Sequence, residues 1–124
     1  MNLLSIQCLH EAELHLVHLT EDNSNIAVIA ALYNLGDPDP IISKIEDKYY
    51  RYVGSLTTPP CTEGVIWNII GKVRTLSKEQ LKLLKAPLGV EFQHNARPLQ
   101  QLNGRKIEMY YSHPTRGRGV IKTP

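Results

Sequence analysis

The chain has 124 residues, 42% of them hydrophobic, and a formal net charge of +2. This length predicts one compact domain, which we place at residues 1–112, followed by a flexible C-terminal tail at residues 113–124. The small net charge gives no reason to expect a nucleic acid or an anionic membrane as a partner. No apolar run reaches the roughly 18 residues of a membrane span. The first eight residues are too short, and lack the basic start, for a signal peptide, so the sequence assigns no compartment.

The first half of the chain reads as two strands and a short helix. Glu13 to Leu19 alternates, so that residues 13, 15 and 17 face one way and residues 14, 16 and 18 the other, which predicts a strand. Ile26 to Leu35 is a nearly continuous apolar run that ends in the breaker-rich residues 36–40. Such a run is typical of a buried central strand. A short helix is expected over Ile41 to Lys48.

The second half predicts three more strands and one helix. Tyr49 to Ser55 is rich in tyrosine, and Val65 to Val73 is rich in β-branched residues, which favours strands in both places. Ile107 to Tyr111 is expected to be the last strand.

The helix in this half begins with a capping signal. Ser77 and Gln80 have the spacing of a capping box, which predicts a helix that runs through Lys85 and stops before Pro87. Its apolar positions, Leu81, Leu84 and in part Leu83, are expected to lie on the sheet.

Glu13 and His15 are the residues whose types and spacing first indicate a metal site. They share one strand face, and a carboxylate beside a ligand histidine usually accepts its second N–H and orients the ring. The alternative is a histidine that is simply hydrogen-bonded in the core. His18 lies on the opposite strand face, where a metal role is not expected. The segment Ser55 to Pro60 likewise has a structural reading, as a hydroxyl-rich turn that two prolines stiffen.

Four sequence blocks together resemble the α-class carbonic anhydrases, especially the plant-type members. They are Glu13-Leu14-His15-Leu16-Val17-His18, then Gly54-Ser55-Leu56-Thr57-Thr58-Pro59-Pro60-Cys61-Thr62-Glu63 with Val65 and Trp67, then Asn95-Ala96-Arg97-Pro98, and last Leu102-Asn103-Gly104-Arg105. Their order and spacing hold from Glu13 to Tyr110, which is about four fifths of the chain. The resemblance implies a mainly β protein with a partial α-carbonic anhydrase fold, a large central β-sheet and short surface helices.

The resemblance also implies roles for individual residues in a zinc enzyme that interconverts carbon dioxide and bicarbonate. His15 matches the third zinc ligand, and Glu13 the carboxylate that orients it. Thr57 matches the threonine that accepts the proton of zinc-bound hydroxide, with Thr58 as its neighbour in the pocket. The expected lining of the carbon dioxide pocket is Val17, Val28, Leu56, Val65 and Trp67.

Part of the family's machinery is not encoded in these residues. The resemblance implies two further ligands on a His-x-His strand upstream of His15, and the chain contains no His-x-His there. The segment Ile6 to His10 is similar to the approach to that strand, which makes His10 a second candidate ligand. The glutamate that orients the threonine, and the cysteine that would pair with Cys61, are absent too. The redox state of Cys8 and Cys61 stays open.

These gaps lead to three functional expectations. The first is a carbonic anhydrase family member with weak zinc binding and impaired or no activity. The second is a non-catalytic, carbonic-anhydrase-like storage or binding protein. The third is a fragment that forms no stable product. Family members are often secreted or plastid-targeted, and the oligomeric state is undetermined, but missing central strands predict an exposed sheet edge that could pair with another chain.

Overall fold

The computed structural model describes residues 10–39 and 48–111. Within these residues it is mainly β, as the sequence predicts, and it contains one short α-helix. Two expectations lie outside the described residues: the tail at 113–124 and residues 41–47 of the expected helix. Lys48, which that helix would include, instead begins a strand.

Six strands form one mixed sheet. Their bounds are β1 Ala12–Leu19, β2 Ile26–Leu35, β3 Lys48–Ser55, β4 Glu63–Ile70, β5 Arg74–Leu76 and β6 Glu108–Tyr111. The strand order is β1-β2-β4-β3-β6, and β5 also pairs with β2. Adjacent pairs are antiparallel except that β2 runs parallel to both β4 and β5. The central position of β2 and β4 agrees with their apolar sequences.

The strand expected over Val65 to Val73 does not extend to Val73, and a separate strand, β5, follows that range. β4 begins earlier, at Glu63, and ends at Ile70. Gly71 follows Ile70, and its N–H donates to the Lys48 carbonyl at 2.9 Å, so close that a Cβ on it would lie only 2.8 Å from that oxygen. The chain then returns as the three-residue β5, which pairs with the end of β2.

Helix α1, Lys78–Lys85, follows the predicted capping box. The Ser77 hydroxyl accepts the Gln80 N–H at 3.1 Å, and the Gln80 amide oxygen accepts the Ser77 N–H at 3.0 Å. The expected apolar face is narrower than predicted. Leu81 packs on the core, whereas Leu83 and Leu84 are 72% and 61% exposed. A short 3₁₀ helix, Val90–Phe92, follows it.

The sheet buries a small cluster on each side. We call the side that carries His15 the His15 face; its buried cluster is Val28, Ala30, Tyr52, Val65 and Trp67. The opposite face buries Ala31, Tyr33 and Leu76, against which Leu81 of α1 packs. Because strand residues alternate between faces, the registers of β1, β2 and β4 place Glu13, His15, Val17, Val28 and Trp67 on the same face.

Candidate metal and substrate site

His15 is held on β1 by two neighbours. Its Nε2 lies 3.1 Å from Glu13 Oε2, two residues earlier on the same strand face. Its ring meets Trp67 edge to face, with centroids 5.0 Å apart and planes at 79°. An ionised carboxylate can only accept, so Nε2 carries the proton and the lone pair of the neutral imidazole lies on Nδ1. His15 therefore presents one oriented nitrogen that could bind a metal.

The wall behind His15 is apolar and closely packed. Val28 and Val65 are 1% and 0% exposed, and Trp67 is 3% exposed. Tyr52 completes this wall by stacking on Trp67, with centroids 6.1 Å apart and planes 6° from parallel. The sequence reasoning missed Tyr52, although its alternation in β3 with Gly54, opposite Val65, could have placed it there. Such a surface excludes water and suits a small apolar substrate.

Val17 lies at the open end of this wall. It pairs with Val28 across β1 and β2, two residues beyond His15 on the same face. Its side chain is 48% exposed, unlike the buried Val28. The described residues thus leave the β1 side of the wall uncovered.

The loop between β3 and β4 is anchored to the wall by Trp67. The indole Nε1–H donates to the Ser55 carbonyl at 3.1 Å, a buried hydrogen bond. The loop is then closed on itself, because the Leu56 N–H donates to the Thr62 carbonyl and the Cys61 N–H to the Thr58 carbonyl, both at 2.9 Å. Trp67 therefore links two of the expected site segments, since its ring contacts His15 and its nitrogen binds Ser55, the residue just before Leu56–Thr58.

Thr57 and Thr58 lie within this anchored loop. Leu56 is half-buried and packs against the cluster of the His15 face, and Thr57 is also half-buried, while Thr58 is exposed. The Pro59–Pro60 peptide is cis, and Cys61 has a φ of 56°. Cys61 is half-buried and forms no disulfide within the described residues.

His10 does not share the site with His15. Its Nδ1 lies 2.8 Å from Asn34 Oδ1, beside the start of β1, and its Nε2 is shielded from solvent without a hydrogen-bond partner. His15 pairs instead with Ala30 of β2, and at ~3.3 Å per strand residue Asn34 lies roughly 13 Å further along that strand. His18, as expected, lies on the opposite strand face, and its side chain is exposed.

The described residues do not amount to a complete zinc centre. A catalytic zinc is held by three protein ligands and keeps one open position. In residues 10–39 and 48–111, no three histidine, cysteine, aspartate or glutamate side chains converge as a metal-binding group. The donor set around the wall is thus one imidazole with its carboxylate partner.

A polar network holds the C-terminal end of β2 in place. The sequence analysis did not predict it. Arg74 makes a bidentate ion pair with Asp39, with N–O distances of 2.7 and 2.8 Å, and the Tyr33 hydroxyl donates to the same carboxylate at 3.0 Å. Burial, and then the neighbouring Asp39, raise the pKa of Tyr33. Gln80 ties α1 to the backbone of Asp39. The network joins Asp39 to Gln80 and Arg74, which follow it in the sequence by 41 and 35 positions. No sequence spacing signals contacts of this kind.

Comparison with known proteins identifies relatives on both sequence and structure. The sequence model of the eukaryotic-type carbonic anhydrase family matches residues 33–111. Alpha carbonic anhydrase 4 of Arabidopsis thaliana is 36% identical over an alignment of 126 positions, gaps included, that covers 82% of this chain and 47% of that protein. Dioscorin dioA3 of Dioscorea japonica is 34% identical, covering 90% of this chain and 51% of that protein. The chain thus spans about half the length of these relatives.

Solved structures agree with the sequence matches. Dioscorin complexed with ascorbate superimposes with a TM-score of 0.71 and 33% identity, covering 83% of this chain and 54% of that one. The α-carbonic anhydrase of Thermovibrio ammonificans, in complex with the inhibitor sulfanilamide, gives a TM-score of 0.62 and 33% identity, covering 77% and 52%. Within the described residues no helix has the length and apolarity to cross a membrane.

Proposed function

Since this chain belongs to the eukaryotic-type, or α, carbonic anhydrase family, we propose that its 124 residues carry an incomplete version of the family's carbon dioxide hydration site. In this proposal the chain binds zinc weakly through His15 and hydrates carbon dioxide close to the uncatalysed rate. The observation that supports it is the oriented imidazole of His15, held by Glu13 and set against the buried apolar wall that includes Trp67.

The residues expected in the site have distinct roles in this proposal. Glu13 fixes the ring of His15 so that Nδ1 is the metal-binding nitrogen. Val17, Val28, Leu56, Val65 and Trp67 form the apolar pocket for carbon dioxide. Thr57 and Thr58 supply hydroxyls at its mouth. A bound zinc would supply a water of lowered pKa as the nucleophile, and that chemistry requires ligands beyond His15.

The expected impairment of catalysis follows from the number of zinc ligands. One imidazole leaves a zinc ion mostly solvated, and the pKa of its bound water then stays closer to that of aqueous zinc, about 9, than to the value of about 7 in a complete site. Among the described residues, no carboxylate is hydrogen-bonded to Thr57, whereas the family uses one to orient this threonine. We therefore expect less zinc-bound hydroxide to form, and the hydroxide that forms to be poorly oriented toward carbon dioxide.

Stopped-flow carbon dioxide hydration with added zinc tests this proposal. We expect a rate at background that a sulfonamide does not lower and that His15→Ala does not change. Zinc content after dialysis should be well below one ion per chain. Stoichiometric zinc, together with sulfonamide-sensitive turnover that His15→Ala abolishes, would overturn the proposal.

A non-catalytic storage or binding protein is the second candidate. It is supported by the dioscorin matches, which include a structure complexed with ascorbate. Saturable binding of ascorbate by isothermal titration calorimetry, unaffected by His15→Ala and by zinc removal, would favour this candidate. Absence of binding at millimolar ascorbate would count against a dioscorin-like ligand.

A further inference from the structure

We propose that the open edge of β1 binds the same edge of a second copy of this chain, with the two strands antiparallel and centred on His15. Among the described residues β1 ends the sheet, with β2 as its one neighbour. The pairing would join two sheets into one. It is independent of the proposed enzymatic function, since it rests on the backbone and the shape of β1.

The direction of the β1 backbone groups can be derived from one hydrogen bond. The Thr20 N–H donates to the Asn25 carbonyl at 3.2 Å, and these two residues continue the β1–β2 register. In an antiparallel pair, hydrogen-bonded positions alternate with positions whose groups point away. Residues 12, 14, 16 and 18 therefore bond to β2, while residues 13, 15, 17 and 19 direct their N–H and C=O groups to the open edge.

This edge lacks the features that usually prevent pairing. Natural edge strands carry lysine, proline or a bulge, or are very short. β1 has eight residues and a regular register, and it contains no lysine, arginine, proline or glycine. Its one carboxylate, Glu13, is directed to His15. The other sheet edge, β6, has four residues, which is the usual protected design.

The exposed leucines select the register. In the dimer, the outward-directed N–H and C=O groups of the two β1 strands must face each other. A two-fold axis can therefore pass through residue 15 or through residue 16, and either choice gives seven residue pairs within β1. An axis between two residues would not bring these groups together. An axis at His15 places Leu14 opposite Leu16 of the partner strand, twice, on the face where both are exposed, by 47% and 57%. An axis at Leu16 instead places Leu14 opposite His18. The first register buries more apolar surface.

A second copy of this chain supplies what the open edge requires. The partner strand has the same eight residues and the same regular backbone as β1. Its outward-directed groups therefore match those of the first copy, and a two-fold interface is self-complementary.

Sedimentation velocity over a concentration series gives the first test. The full chain should shift from monomer to dimer as concentration rises. Leu16→Lys should raise the dissociation constant at least about tenfold, because it buries an unpaired ammonium at the interface. The matched control is Leu83→Lys on α1, where the leucine is 72% exposed and lies outside β1; it should leave the constant unchanged. A monomer at all concentrations, or equal effects of the two variants, would overturn the proposal.

Two further measurements locate the interface. Amide exchange should show residues 14, 16 and 18 protected at every concentration, and residues 13, 15 and 17 protected in the dimer alone. With Cys8 and Cys61 replaced by serine, a mixture of Leu14→Cys and Leu16→Cys chains should form a disulfide that neither chain forms alone. Disulfide formation by Leu16→Cys alone would overturn the register. Protection of the odd-numbered amides in a monomer would overturn the proposal and assign the edge to the chain's own residues.

Discussion

Replacing Trp67 with phenylalanine removes the hydrogen bond that holds the β3–β4 loop to the sheet while keeping an aromatic ring. The indole N–H donates to the Ser55 carbonyl in a place where Trp67 and Ser55 are each 3% exposed. A buried carbonyl left without its donor costs about 1–3 kcal/mol. The smaller ring leaves a gap against His15 and Tyr52, so we expect a total loss of about 2–4 kcal/mol in the free energy of unfolding.

Urea denaturation followed by circular dichroism measures this loss. With an m-value of about 2 kcal/mol/M, the midpoint should fall by at least ~1 M. Trp67→Ala is the reference for removing the whole side chain and should cost about 3–5 kcal/mol. A Trp67→Phe midpoint within error of the wild type would refute the reasoning that the indole nitrogen anchors the loop.

Amide exchange separates loss of the anchor from general weakening of the core. If the anchor matters, the amides of Leu56 and Cys61, which close the loop, should lose protection in Trp67→Phe at urea concentrations where β2 keeps its own. An equal loss of protection in the loop and in β2 would mean that the substitution acts on the core alone.

Three other perturbations have definite expected outcomes. Arg74→Met leaves the Asp39 carboxylate, with 12% of its side chain exposed, without its bidentate partner, and thermal unfolding should show a loss of about 3–5 kcal/mol. Ser77→Ala removes the N-cap that accepts the Gln80 N–H and should cost about 1 kcal/mol in the same assay. Hydrogen bonds from Thr20 and Ser24 lower the pKa of Asp22 from 3.8 to about 2, so its stabilising contribution is full above pH 4 and disappears as the pH falls through about 2. Asp22→Asn should flatten the dependence of stability on pH in that range, and an unchanged profile would contradict the assignment.

The strands could be predicted because alternation and apolar runs are local properties. β1 and β2 follow their patterns closely, since each has one neighbour in sequence with which it forms a hairpin. β5 could not be predicted, because a strand of three residues exists through its pairing with β2 and has no pattern of its own. The parallel pairing of β2 with β4 could not be predicted either. An alternating pattern shows which face of the sheet a side chain occupies, but not which strand lies beside it.

The candidate site, like the fold, could be predicted only in part from the sequence. The pairing of Glu13 with His15 follows from a spacing of two residues in a strand, and the structure has it. The anchoring of the Thr57 loop could not be predicted, because it depends on a side chain twelve residues away and on a register shift at Gly54 and Ser55. Tyr52 was missed because its role comes from stacking on Trp67 of the neighbouring strand.

The parallel contact between β2 and β4 has a consequence for how the site forms. β1 and β2 make one local hairpin, and β3 and β4 make another, whereas β2 and β4 meet across about 40 residues of chain. Local hairpins close within microseconds, while distant parallel strands join slowly because a long loop must first be closed. His15 belongs to the first hairpin and Trp67 to the second. We therefore expect their contact to appear only in the last, slowest folding phase, so that stopped-flow fluorescence of the chain's single tryptophan would report the assembly of the pocket itself.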